Sequence, residues 1–186
     1  MDSSRFNPQK AVQAAGVILR AEGKRISRLR LLKLLYIAER KCLAETGRQL
    51  IGGKLVAMDH GPLHSDILDL IKGRHPSEPL WSRYFSAHGP REVEMTDEPD
   101  VGALSRYEID LLNRVCELHA AIDDFELSIA THGFAEWAET FRAGTSTTIP
   151  TRLLVERACG GEFADEIVQG INEKAAFDEF FSESAT

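Results

Sequence analysis

Residues 33–65, KLLYIAERKCLAETGRQLIGGKLVAMDHGPLHS, decide how this chain is read. Ser27 can cap a helix in which Leu31, Leu34, Leu35, Ala38 and Cys42 recur at spacings of three and four. Leu32, Tyr36 and Leu43 widen that stripe, which predicts a helix buried on more than one side. Gly47 supplies the residue type that ends many helices. Leu50 and Ile51, then Leu55, Val56 and Met58, read as a short strand or hairpin interrupted by Gly52 and Gly53. His60-Gly61-Pro62 resets the backbone. Pro62 is placed for the first position of a helix over 63–72, where its missing N–H needs no partner, and Gly73 ends that helix.

Working outward, Asn7-Pro8 is a cap followed by a first-turn proline. Ala11, Val12, Ala15, Ile18 and Leu19 continue it as an amphipathic helix ending before Gly23. Residues 75–79 read as a loop, and Leu80, Trp81, Tyr84 and Phe85 form a bulky patch assigned to the core rather than to an interface. Weak alternation with Val93 and Met95 inward predicts a hairpin-like pair of short strands. Ser105 and Glu108 make a capping box that opens a helix. Further helices are expected over 123–131, 134–142, 150–159 and 162–181, the last with Ile167, Ile171 and Phe177 inward. The fold expected is mainly α, a single compact domain of about seven or eight helices with a small β element from residues 50–58 and 82–96. Residues 1–160 would form the domain, and 161–186 a C-terminal helix packed on it or extending it.

Composition narrows the function classes. The 186 residues are 43% hydrophobic, enough for a real core, yet no run approaches a membrane span. MDSSRFNPQK lacks the apolar core of a secretory signal, so the expected location is the cytoplasm. Cys42, Cys116 and Cys159 are odd in number and widely separated, which fits no disulfide framework or zinc spacing. Cys42 and Cys116 read as small buried hydrophobes. The net charge of −7 is uneven: residues 1–60 carry 12 − 5 = +7 and residues 61–186 carry 10 − 24 = −14. Such a split allows a basic and an acidic face.

Candidate chemistry is sparse. His60 and His64 have a helical metal-pair spacing, but Gly61-Pro62 falls between them and no further ligand completes a site. His60 is instead expected to bond to local backbone at the corner. Ser65 and Asp66 beside His64 do not build a triad, because adjacent helical residues point apart. No nucleophile elbow or phosphate-cradling glycine loop is present, so no enzyme activity and no cofactor are expected. Lys24, Arg25, Arg28, Arg30 and Lys33 cluster at the start of the second helix, with Arg40 and Lys41 further along it, and the short turn at 23–26 between two helices is as in a helix-turn-helix. A DNA-binding regulator of its own operon, using residues 24–41, is therefore the alternative reading. The apolar character of the second helix and the acidic balance of the chain count against it.

The opening stretch resembles the SocA-like antitoxin family, also called the Panacea domain. That pattern is a KLLY-aromatic-Ala-acid string, a Gly-rich turn, a strand with an Ala-Met pair, and HGP-x-x-S. Here it is Lys33, Leu34, Leu35, Tyr36, Ile37, Ala38 and Glu39, then Gly52, Gly53, Ala57, Met58, His60, Gly61, Pro62 and Ser65. Thr131, His132 and Trp137 match a Thr-His step followed by a Trp. Ile37 replaces a common aromatic and Glu39 a common Asp. The resemblance spans roughly residues 8–158 and implies a non-enzymatic antitoxin, of the kind used in phage defence, that neutralises a toxin encoded beside it by direct binding. One branch of the family acts as an adaptor that delivers its toxin to an ATP-dependent protease. Combining the pattern with interface-prone residue types, the face expected to bind the partner carries Tyr36, Arg40, Met58, His60 and Trp137. Lys33, Leu34, Leu35, Ala38, Gly53, Ala57, Gly61, Pro62, Ser65, Thr131 and His132 are expected to be structural. Self-association is left open.

Overall fold

The computed structural model describes residues 5–183; residues 1–4 of the segment read for a secretory signal, and 184–186 of the C-terminal segment, lie outside the described residues. The first part of the chain runs α1 (Pro8–Ala21), β1 (Arg25–Ser27), α2 (Arg28–Thr46), β2 (Leu55–Met58), β3 (Gly61–His64), α3 (Ser65–Ile71) and α4 (Glu78–Ser82). It continues with β4 (Phe85–His88), β5 (Glu92–Met95), α5 (Arg106–His119), α6 (Asp124–Thr131) and α7 (Ala135–Thr140). The last elements are β6 (Thr147–Thr148), α8 (Thr151–Cys159), a 3-10 turn Gly161–Phe163 and α9 (Ala164–Glu183). The architecture is mainly α, with two small antiparallel sheets ordered β1-β5-β4 and β3-β2-β6.

Helix α2 is the axis. It starts where Ser27 Oγ accepts the Arg30 N–H and ends at Gly47, whose φ of +67° is the left-handed turn that glycine adopts without strain. Every residue from Leu31 to Glu39 is buried, and α1, α5, α6, α8 and β3 all pack on this helix. Burying Leu31, Leu34 and Leu35 contributes roughly 1.5–3 kcal/mol each. Side-chain caps set the neighbouring helices: Asn7 accepts the Lys10 N–H on α1, and reciprocal capping boxes join Ser105 to Glu108 and Asp123 to Glu126. Trp81 and Phe85 are buried in the core with Tyr84 and Leu80 against them, as expected from their bulk.

Several expectations need correction. Pro62 does not start a helix: residues 61–64 form β3, paired Leu55↔His64 through Met58↔Gly61, and α3 begins only at Ser65. β3 is an edge strand, where a residue without an N–H is tolerated. Leu50 and Ile51 are not in a strand, because their amides go elsewhere. Strands β1 and β6, three and two residues long, fall where a turn and a polar loop were read, being too short to show a period. The segment read as the loop 75–79 runs into α4, which makes nine α-helices among the described residues. Phe177 on α9 faces outward, although Ile171 is buried as expected.

Glu39 explains the 50–52 segment. Its carboxylate is buried and accepts the N–H groups of Leu50 (3.1 Å), Ile51 (2.7 Å) and Gly52 (3.3 Å). Charge-assisted bonds from one side chain thus replace a strand ladder. Glu39→Gln removes the charge and turns an NH2 group toward those donors. The expected loss is about 2–3 kcal/mol of unfolding free energy in urea denaturation; a change below about 0.5 kcal/mol, the usual range for surface substitutions, would refute this account.

Candidate partner-binding site

The two halves of the sequence pattern, separated by some seventy residues in the chain, interlock around the β2–β3 turn. Lys33 on α2 is 0% exposed, and its Nζ donates to the Pro62 carbonyl at 2.7 Å. Gly61, at φ +92°, lies directly over that amine. A Cβ there would collide with Thr131 Oγ1 and come within 3.1 Å of Lys33 Nζ and 3.3 Å of the His132 ring, so the position needs glycine on two counts. Thr131 Oγ1 in turn donates to the Ser128 carbonyl, and Ser128 Oγ donates to the His60 carbonyl at 2.8 Å. The end of α6 is therefore fastened to the turn.

Trp137 completes the joint from α7. Its indole stacks on His132 (centroids 4.1 Å apart, planes 3°) and on Phe141 (4.6 Å, 19°), while Nε1 donates to the Met58 carbonyl at 3.0 Å. A second polar cluster lies one helical turn along α2. Glu136 is fully buried and accepts from Tyr36 Oη (3.0 Å) and Arg40 Nε (2.7 Å); Arg40 also donates to the Arg157 carbonyl and lies 4.6 Å from the centre of the Phe134 ring. A carboxylate so enclosed requires a cation, and Arg40 supplies it.

Burial sets the electrostatics. Desolvation lowers the Lys33 amine to about 7, so the neutral form is favoured inside the fold. Burial also depresses His132, helped by nearby Lys33 and His60. Tyr36 is driven well above its ordinary value by burial and by the Glu136 charge. Burial pushes the Cys42 and Cys116 thiols up to about 11 and about 12, which makes them packing groups rather than thiolates.

The residues expected at a partner surface are not equivalent. His60 is exposed at the turn, Met58, Trp137 and Arg40 are half-buried, and Tyr36 is completely buried, so Tyr36 offers no contact surface. The His60 backbone carbonyl, not the ring, joins the local network. Of the residues expected to be structural, Leu34, Leu35, Ala38 and Ala57 are core, Gly53 abuts Asp66 and Phe6, and Ser65 opens α3 with its N–H on the Lys54 carbonyl. His64 is buried, its Nε2 3.4 Å from Glu39 Oε2, while His60 points outward, so the two do not converge on a metal.

The basic cluster also disperses. Arg30 is buried, pairs with Glu22 and donates to the carbonyls of His119 and Ile122, while Lys33 and Arg40 are used internally as above. The turn itself contains β1, paired with β5. Neither the Glu136 acceptor nor the Ser128 link carried a signal in the sequence beyond a polar residue in an amphipathic helix. A groove of about 760 Å3 lies between α9 and the 46–52 segment, lined by none of Lys33, His60, Thr131, His132 or Trp137. Among the described residues no helix is long and apolar enough to cross a membrane.

Comparison with known proteins gives one finding. The family model described as antitoxin SocA-like, Panacea domain, matches residues 31–138. No curated protein and no solved structure gave a match.

The buried amine predicts a pH signature. Its value falls from 10.5 to about 7 on folding, so the folded chain holds fewer protons than the unfolded chain between those limits. Unfolding free energy should therefore rise with pH across that window, by at most about 1.4 kcal/mol per pH unit, with the full penalty of charging present below about pH 7. Lys33→Met should lose this component, so its stability relative to the parent should fall steadily from pH 7 to 10 in urea titrations. A difference independent of pH would show that Lys33 titrates normally.

Proposed function

The chain belongs to the SocA-like antitoxin family, the Panacea-domain family, and from that premise we propose that it is an antitoxin that neutralises a cognate toxin by direct protein–protein binding. The observation that carries this reading is the match over residues 31–138, a span that contains both halves of the interlocked pattern. The geometry supports it in a second way. The polar groups of the pattern are spent inward, Lys33 on Pro62, Tyr36 and Arg40 on Glu136, and Trp137 on Met58. Neutralisation by blockade asks for no reactive group, only a complementary patch on the order of 800 Å2 on each partner.

His60, Met58, Trp137 and Arg40 supply part of that patch around the β2–β3 turn, and Tyr36 acts from beneath by holding Glu136 against Arg40. The setting is the cytoplasm. Delivery to an ATP-dependent protease would use the same surface but deplete the toxin, whereas blockade leaves it present and silent.

Co-expression with the product of the adjoining reading frame tests the reading. Growth should be arrested by that product alone and restored by the wild-type chain, with the product still detectable by immunoblot. His60→Asp changes an exposed ring and should weaken binding about tenfold or more without altering the melting temperature. Arg40→Glu should instead unfold the protein more easily, by about 3–5 kcal/mol, because Glu136 is left buried without its cation. Failure of the wild-type chain to restore growth sinks the antitoxin reading, and unaltered binding by His60→Asp removes this face from it.

A further inference from the structure

Helix α9 lies outside the span that the family model matches and packs on α8, with Ala164 and Ile171 buried. At about 100° per residue, Phe177, Phe180 and Phe181 fall on the other side of the helix, where they are 62%, 66% and 55% exposed. Their rings form one cluster, with centroids 4.5 Å apart for Phe177–Phe181 and 5.4 Å for Phe180–Phe181. The spacing i, i+3, i+4 is that of the anchors by which an amphipathic helix lies in an apolar groove. The helix also carries six Asp or Glu and one Lys, 1 − 6 = −5.

We propose that α9 is a docking helix for the toxin, with the Phe177, Phe180 and Phe181 rings seated in an apolar groove whose rim is rich in Lys and Arg. This rests on the antitoxin reading and adds which element and which partner chemistry are used. Charge selects the occupant. Nucleic acid and anionic lipid are repelled by the acidic helix. The same face of a second copy would set acid against acid across a two-fold contact. A second copy's basic residues 1–60 satisfy the charges only in a head-to-tail contact, which closes into a ring or propagates into a filament. A cationic protein groove satisfies the rings and the carboxylates together.

The probe is the purified product of the adjoining reading frame, titrated calorimetrically with the full chain over a salt series. The variants are the triple Phe177→Ser, Phe180→Ser, Phe181→Ser and the double Glu173→Lys, Glu179→Lys. All the substituted side chains are exposed, so circular dichroism and melting temperature should stay as in the parent. The triple variant should bind at least about 30-fold more weakly. The double variant should also bind more weakly, with a flatter salt dependence. Parent-like binding by the triple variant overturns the docking role while leaving the antitoxin reading intact. No binding by the parent overturns both. Self-association of the parent in sedimentation, lost in the triple variant, assigns the face to a second copy and overturns the proposal.

Discussion

A lysine amine enclosed away from water is costly unless something receives it, and the fold around α2 is arranged to receive Lys33. One carbonyl, that of Pro62, lies 2.7 Å away, and it is available because β3 is an edge strand at this point. For the carbonyl to be there, β2 and β3 must turn back over α2. For the turn to sit so close, residue 61 must lack a side chain, since Thr131 and His132 close the space from the other side. Hairpin, glycine, the end of α6 and the stacked Trp137 thus follow from one buried group and its acceptor.

The same helix repeats the device. Lys33, Tyr36 and Glu39 follow one another at intervals of three residues along α2, Arg40 lies four beyond Tyr36, and all four side chains send their polar atoms to segments outside the helix. Glu39 orders the 50–52 segment, and Tyr36 with Arg40 holds Glu136 of α7. An apolar helix of the same shape could pack against several partners in several registers. Directional bonds at four points leave one arrangement in which every buried charge and hydroxyl is satisfied. That arrangement leaves His60 exposed at the β2–β3 turn beside the half-buried Trp137, while α9, beyond the matched span, packs on α8 through Ala164 and Ile171.

What could be read without the fold was local. The caps at Asn7, Ser27 and Ser105 and the stop at Gly47 were legible because each acts within four residues. The inward set of α2 was legible because apolar periodicity is a property of the helix alone. Pro62 misled because a proline after a glycine suits a helix start as well as an edge strand, and only the pairing with Ala57 decides between them. Leu50 and Ile51 misled because apolar residues next to glycines look like a strand until Glu39 takes their amides. The basic cluster at 24–41 looked like a surface, but charge on a helix is uninformative until its partners are known, and three of those cations turn inward.

By itself the sequence determined the helix starts capped at Asn7, Ser27 and Ser105, the stop at Gly47, which face of α2 is apolar, and the pattern that marks the family. The tertiary structure alone decided what the polar residues of that pattern do. Lys33 and Pro62 are 29 residues apart, and Tyr36 and Glu136 are 100 apart. Periodicity and capping act over one or two turns of backbone and carry no information about groups so distant. The need to pair a buried charge acts only once packing has removed the water, and it selects its partner from the whole folded chain.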